Sequence, residues 1–317
     1  MSPAISIILP TFNRLEYLRP AIDSAFAQTF GDWELIIADD GSNAQTREVL
    51  GGFEGSPRVK VIWLAHSGRP SVVRNAAMRW AQGEYIAFLD SDDVWLPKKL
   101  ELQIASLRKN PQRKWSYTRF AVMDRLGDPV SSAVKCPAPS GWILELLLSA
   151  ATVIALPSVL VERALLDRVG AFDEELVMCE DDELWFRLAA ESEIDGVDEA
   201  LTLVRRHGQH SGSDVIAWQD RRRVFEKALR AGRDGHLRSV LHKLRAETSV
   251  GLARSEAVSG KRLDALGTLL TGARHTWRYP HCWGDALKAA ARAVSPQPVL
   301  ALARRCRSRH SAAVRSE

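Results

Sequence analysis

The chain has 317 residues, 46% hydrophobic and 26% charged, values that fit one large globular domain with an appendage. Its four cysteines (Cys136, Cys179, Cys282, Cys306) and eight histidines are scattered without metal-ligand spacing, which argues against a zinc site and for a reducing compartment. The net charge of +4 hides a split: residues 1–212 hold 22 basic against 30 acidic side chains and residues 213–317 hold 21 against 9, so two parts with different partners are expected.

In chain order, Ile5–Leu9 reads as a first strand, ended by Pro10. It is too short for a secretory signal and follows no basic stretch, so a cytoplasmic chain is expected. Leu15–Gln28 carries Leu15, Leu18, Ile22, Ala25 and Phe26 at the spacing of one helix face. Glu34–Ala38 is a second strand, Ala44–Phe53 a helix and Val59–Leu64 a third strand. Pro70–Gln82 reads as a helix stopped by Gly83, Tyr85–Leu89 as a fourth strand, and Pro97 opens a helix to about Leu107. This alternation predicts a mainly parallel sheet with helices on both faces.

Past Asn110 the rhythm changes. Lys114–Met123 reads as a strand, Trp142–Ala150 as a short helix, Val159–Val161 as a strand and Ala164–Val169 as a helix. Glu183–Ala190 is helical and Ala200–Arg205 a strand. From Asp214 the text is basic and helical, with breaks near Gly232–Gly235, Gly260 and Tyr279–Gly284 and a frayed last dozen or so residues. No window reaches the roughly 18 apolar residues of a membrane span. The longest apolar region, Trp142–Leu160, is interrupted by Glu145, Ser149, Thr152, Pro157 and Ser158.

The most informative stretch is Tyr85–Asp93, an apolar run that ends in Asp90-Ser91-Asp92-Asp93. Alternation puts Asp90 and Asp92 on one side of the chain as it leaves the strand. Two hard oxygen ligands there suit a divalent cation also held by phosphates. A solvated turn with capping carboxylates would use the same residues. Asp39-Asp40-Gly41-Ser42 repeats the pattern after the second strand, and two acidic strand ends in one α/β sheet share its ligand-binding edge. A carboxylate there can accept from a base imide or a ribose hydroxyl; a turn with Gly41 at positive φ is the plainer alternative.

Pro10-Thr11-Phe12-Asn13-Arg14 follows the first strand. Thr11 and Asn13 offer hydrogen bonds to a ligand or a helix cap, and Arg14 can meet a phosphate or pack on a base. Arg74, on the first turns of the third helix, can neutralise a diphosphate or lie on the surface. Glu180, Asp181, Asp182 and Glu183 stand together before an apolar helical segment. The helix dipole favours acids there, but four exceed what capping needs, and crowded carboxylates raise one another's pKa, a useful trait in a general base. His207 and His210, beside Arg205 and Arg206, can be structural or can contact a diphosphate or a metal. No Gly-x-Gly-x-x-Gly or Walker-type lysine loop is present, so dinucleotide dehydrogenases and P-loop enzymes lose support.

Taken together and in order, these residues resemble the family 2 glycosyltransferases, inverting enzymes with the GT-A fold. The matching pieces are Pro10–Arg14, Gln28-Thr29-Phe30 before Trp33–Ile37, Asp39–Ser42, Arg74-Asn75, Gly83–Asp93, Val169–Glu174 and Glu180–Trp185, within roughly residues 4–211. The resemblance implies a GT-A catalytic domain over 1–212, with a nucleotide-binding half of about 1–110 and an acceptor half of about 111–212. Residues 213–317 lie outside it, as a basic helical extension. It implies a donor pocket of Pro10, Thr11, Asn13, Arg14, Asp39, Asp40, Arg74, Asp90 and Ser91, with Asp40 on the base. Asp92 would be the main ligand of Mn²⁺ or Mg²⁺, with Asp90 near the ribose or metal and His207 a further metal contact. Asp181 would deprotonate the acceptor hydroxyl, with Glu180 as the fallback, and Asp182 and Glu183 leave the register open by a residue or two.

The expected partners are therefore a nucleotide-diphosphate sugar and a saccharide or lipid-linked saccharide acceptor, in surface-polysaccharide or lipid-linked glycan assembly. Other functions on a similar sheet are a sugar-nucleotide nucleotidyltransferase and a non-catalytic sugar-nucleotide-binding protein. The former would want a Gly-rich basic loop where Pro-Thr-Phe-Asn-Arg stands. The basic extension suits either contact with the inner face of an anionic membrane or a solvated helical subdomain. Nucleic acid would fit its charge but finds no interleaved aromatics or recognised module.

Overall fold

The computed structural model describes residues 2–130, 138–206, 214–231 and 235–294. They fall into two compact units, 1–211 and 212–317. In the first, β1 (Ile5–Thr11), α1 (Leu15–Phe26), β2 (Trp33–Asp39), α2 (Ala44–Gly51), β3 (Val59–Trp63), α3 (Pro70–Met78) and β4 (Tyr85–Phe88) alternate. Next come β5 (Val94–Trp95), α4 (Lys99–Lys109), β6 (Trp115–Met123) and α5 (Leu144–Leu148). The unit closes with β7 (Val159–Glu162), α6 (Arg163–Val169), α7 (Glu180–Glu191) and β8 (Ile194–Arg205).

The eight strands form one sheet in the order β3-β2-β1-β4-β7-β6-β8-β5. The β3-β2-β1-β4 half and the β6–β8 pair are parallel, whereas β7 runs antiparallel to β4 and β6, and β5 antiparallel to β8. The two faces of the sheet bury different residues of the same strands. Ile8, Ile36, Ile86 and Phe88 pack with Val73, Leu184 and Trp185 on one face. Ile7, Leu9, Ile37 and Ala87 pack with Leu18, Ile22 and Ile104 on the other. Burial on both faces explains why these strands read as unbroken apolar runs.

Several boundaries differ from the sequence reading. Pro10 does not end β1: the strand continues to Thr11, which pairs with Asp39. Even-numbered residues of β1 face β4, whose ladder stops at the Ile8–Phe88 pair, so the missing N–H of Pro10 meets no waiting acceptor. The strand expected at Ala200 begins at Ile194, because its first half pairs with β6 through an irregular register around Arg119 and carries the exposed Asp198 and Glu199. The helix expected from Glu183 begins at Glu180, after Cys179 in a left-handed conformation at φ 62°. The Trp142–Ala150 helix is only Leu144–Leu148 long, with Ala150 at φ 54° beyond it. The two-residue β5 was not foreseen.

The second unit contains α8 (Asp214–Arg230), α9 (Gly235–Val258), α10 (Arg262–Thr276) and α11 (Trp283–Val294). Its buried side chains include Val224, Phe225, Leu241 and Leu252, and two clusters are built on smaller ones: Ala246, Val250 and Cys282 in one, Ala257, Ala265 and Ala293 in another. Glu256 is buried and accepts a hydrogen bond from Thr268 Oγ1 at 2.8 Å.

Candidate active site

Because β1 pairs in parallel with both β2 and β4, the chain leaves all three strands at one edge. An open cleft of about 290 Å³ lies there, lined by Pro10, Thr11, Arg14, Asp40, Arg74, Asp90, Ser91 and Asp92 among others. Thr11 is 3% exposed and its Oγ1 has no hydrogen-bond partner among the described residues, so a donor-acceptor hydroxyl stands in the cleft wall.

The β2 end is organised around Asp40. Its carboxylate accepts from Ser67 N at 2.8 Å, Ser67 Oγ at 2.9 Å and Gly68 N at 3.0 Å. His66 Nδ1 lies 3.0 Å from the same carboxylate and 2.9 Å from the Asp40 carbonyl, so Nδ1 carries the proton. The turn needs Gly41, at φ 77°: a Cβ there would stand 3.0 Å from His66 N. The His66 ring stacks on Phe12 at 4.0 Å, and both rings line the cleft. Asp39 and Asn13 do not line it. Asp39 accepts from Ser42 N at 3.0 Å, while Asn13 accepts from Asn43 N at 2.8 Å and its own N–H donates to Ser42 Oγ. Asn13 ties the β1 loop to the β2 loop, and Asp39 closes the turn of the β2 loop on itself.

Arg74 joins the two acidic motifs. Its guanidinium is buried and donates to Asp90 Oδ1 and to Glu180 Oε1, each at 2.8 Å. Burial alone would lower its pKa, but Asp90 and then Glu180 more than offset this and hold the cation in place. Burial, with the neighbouring Asp92 charge, raises the Asp90 carboxyl even though Arg74 opposes the shift. The next residue, Asn75, brackets the loop before α7. It donates to the Phe172 carbonyl and to Glu174 Oε1 and accepts from Phe172 N. The Arg74-Asn75 pair thus carries α7 to the edge of the cleft.

At the start of α7 the four acids separate into different roles. Glu180 is paired with Arg74. Glu183 is buried and bound by Arg187, which also donates to the carbonyls of Val169, Gly170 and Ala171. Asp181 is half-buried. Burial first, then the Asp182 and Glu180 charges, push its carboxyl well above the usual carboxylate range. Asp93 is likewise pushed well up, by burial and by Asp90 and Asp92, although it accepts from Arg205 N at 2.7 Å. Arg205 Nε donates to the Asp92 carbonyl at 2.8 Å, so the end of β8 fixes the acidic turn. His207 and His210 lie outside the described residues.

Asp90 and Asp92 fit a hard divalent cation: they offer two carboxylates beside a cleft in which diphosphate oxygens and water could fill the remaining positions. Among the described residues no three His, Cys, Asp or Glu side chains gather to hold a metal unaided. Sequence reasoning missed Phe12, His66, Ser67 and Gly68 as parts of the site. For the last three the available signal was that β3, parallel to β2, delivers its following loop to the same edge; Phe12 leaves β1 there directly.

The family model of glycosyl transferase family 2 matches residues 6–124. The chain is 31% identical over 194 residues to the Escherichia coli UDP-Glc:alpha-D-GlcNAc-diphosphoundecaprenol beta-1,3-glucosyltransferase WfgD, covering 61% of this chain and 73% of that one. It is 35% identical over 136 residues to TuaG of Bacillus subtilis, a protein named for teichuronic acid biosynthesis, covering 43% of this chain and 54% of that one. It thus spans about half of TuaG, and only 33% of a Rickettsia conorii glycosyltransferase that is 32% identical. Among solved structures, S. aureus TarS 1–349 in complex with UDP-GlcNAc is similar with a TM-score of 0.66 at 22% identity, over 92% of this chain and 89% of that one. The mannosyltransferase PcManGT from Pyrobaculum calidifontis, in complex with GDP-Man and Mn²⁺, is similar with a TM-score of 0.57 at 18% identity, over 92% and 86%. The structural likenesses place the sheet in the GT-A fold, and the sequence matches show that the chain belongs to glycosyl transferase family 2.

Proposed function

We propose that the chain transfers a sugar from a nucleotide-diphosphate donor to a hydroxyl acceptor with inversion, in the assembly of a surface polysaccharide or lipid-linked glycan. The observation that carries this reading is the Arg74 bridge, which couples the acidic motif of the donor cleft to the acidic start of α7. Asp181 is the general base. Glu180 is already engaged by the Arg74 guanidinium and is poorly placed for that role, whereas the raised pKa of Asp181 brings it closer to a working base. Asp181 takes the proton of the acceptor hydroxyl as its oxygen bonds the anomeric carbon. The bond from that carbon to the diphosphate oxygen breaks, and its electron pair leaves with the nucleoside diphosphate.

Pro10, Thr11 and Arg14 hold the nucleotide beside the Phe12–His66 pair, and Asp40 keeps that loop in place. Asp90 and Asp92 would hold Mn²⁺ or Mg²⁺, which when bound would neutralise charge growing on the diphosphate. The partial likeness to WfgD, whose name specifies a diphosphoundecaprenol-linked acceptor, supports the lipid-linked class. A calorimetric panel of UDP-, GDP- and dTDP-sugars with Mn²⁺ or Mg²⁺ tests the reading. One donor should bind and turn over, and binding of none would refute it.

A peripheral membrane contact of the second unit is favoured by Leu263 and Leu270 on α10 and Leu287 and Val294 on α11. Each pair is seven residues apart, and the four are 65–83% exposed on a unit rich in arginine. No helix among the described residues is long and apolar enough to cross a membrane. Co-sedimentation of the full chain with anionic vesicles, lost in Leu263→Ser/Leu270→Ser, is the expected result; salt-independent absence of binding would exclude it.

A further inference from the structure

The second unit holds a cleft of about 420 Å³, wholly its own, bounded by α9, α10 and the turn after α10. Arg238, His242 and Arg245 stand on one face of α9, four and three residues apart. Arg274, His275 and Arg278 reach it from the end of α10 and the turn. None of these four arginines forms an ion pair with a carboxylate among the described residues. The acid whose field reaches Arg245 is Glu226 of α8, without a salt bridge.

The hydrogen bonding of this cleft is short of acceptors. Arg245 Nη2 lies 2.8 Å from His275 Nδ1, and Arg274 Nε donates to His275 Nε2 at 3.0 Å. A neutral imidazole has one accepting nitrogen, so it cannot serve both guanidinium groups. Arg245 Nη2 also lies 3.1 Å from His242 Nδ1, and Arg245 Nε is buried with no hydrogen-bond partner among the described residues. Burial first, and then Arg245 and its neighbouring arginines, press both histidines below their ordinary pKa. A small group with several anionic oxygens would give these donors the acceptors they lack, and guanidinium geometry suits phosphate oxygens.

We propose that this cleft is a second ligand site, binding a phosphate or diphosphate group through Arg238, Arg245, Arg274 and Arg278. The site does not depend on the membrane contact inferred above or on the donor cleft. Its ligand can be the headgroup of an anionic lipid or a soluble phosphate compound.

The test titrates the full chain with sodium pyrophosphate without divalent cations, and separately sediments it with phosphatidic acid or phosphatidylcholine vesicles. Pyrophosphate should bind the parent chain. Affinity should fall at least about tenfold in Arg238→Gln/Arg274→Gln, the scale of losing charge-assisted bonds. It should hold in Arg254→Gln/Lys261→Gln, which removes the same charge from exposed positions of the same unit. If the first variant does not fold, Arg278→Gln, outside the helices, replaces it with the same expectation. Sedimentation with phosphatidic acid that pyrophosphate reverses identifies a lipid headgroup; pyrophosphate binding without sedimentation identifies a soluble ligand; both support the site. Absence of binding to either probe, or equal weakening in the two double variants, would overturn it.

Discussion

The two units handle charge in opposite ways. In the first, acids crowd one sheet edge, and the buried guanidinium of Arg74 is committed to two of them. In the second, four arginines share a cleft and no carboxylate pairs with them among the described residues. An acidic edge can receive a diphosphate only with a cation between them, whereas an arginine cleft can receive phosphate directly. The contrast explains why net charge by itself, +4 for the chain, says nothing about either site.

The largest effect that would sharpen this contrast is expected at Asp181. Asp181→Asn should lower transfer by about a thousandfold, within the usual range for a lost general base, while donor affinity measured by calorimetry stays near the parent's. If Glu180→Gln or Asp182→Asn abolishes transfer and Asp181→Asn does not, the base lies one residue away. The same substitution should stabilise the fold. The folded pKa of Asp181 is raised, so the native state binds the extra proton and stability falls as pH rises from the unfolded carboxylate pKa through the folded one. At neutral pH the variant should therefore melt a few degrees higher than the parent, and the gap should close in acid; a lower melting temperature would contradict the raised pKa.

Asp92→Asn should fold normally and lose at least about a hundredfold in turnover, the scale of one main electrostatic contact. Chelator-insensitive, near-normal turnover would remove Asp92 from the metal role. Arg74→Met should cost about 2 kcal/mol of stability in urea, because the half-buried Asp90 and Glu180 lose their shared charge-assisted partner. Part of that loss should return as pH falls and the Asp90 carboxyl, already raised by burial, takes up a proton; a variant as stable as the parent at every pH would show that the bridge is dispensable. Gly41→Ala should be the mildest, about 1–2 kcal/mol, from a positive φ and contact with His66. Its donor affinity should fall with the displaced Asp40–His66 turn, and unchanged affinity would separate that turn from nucleotide binding.

Much of the first unit was legible because both faces of its sheet are buried, so β1, β2 and β4 appear as apolar runs closed by Asp39-Asp40 and Asp90. The acidic edge followed from parallel pairing alone. The partnerships were not legible. Nothing in the spacing of Arg74 and Glu180, 106 residues apart, announces a shared hydrogen bond, and nothing in the sequence shows that Asn13 binds the β2 loop or that Asp39 accepts from Ser42 N. The first half of β8 was hidden by its exposed acids and its irregular pairing with β6. In the second unit, the basic composition was plain, but its convergence on one cleft depends on how α9 and α10 pack.

A single base, Asp181, acting in direct displacement at the donor's anomeric carbon requires the anomeric configuration to invert. Proton NMR of the first-formed product, with the donor selected from the nucleotide-sugar panel, tests it most directly. The one-bond and vicinal couplings of the anomeric proton report the configuration. Direct displacement predicts that an α-linked donor gives a β-linked product, with no signal from a covalent sugar-enzyme intermediate. A product that retains the donor's configuration would exclude direct displacement.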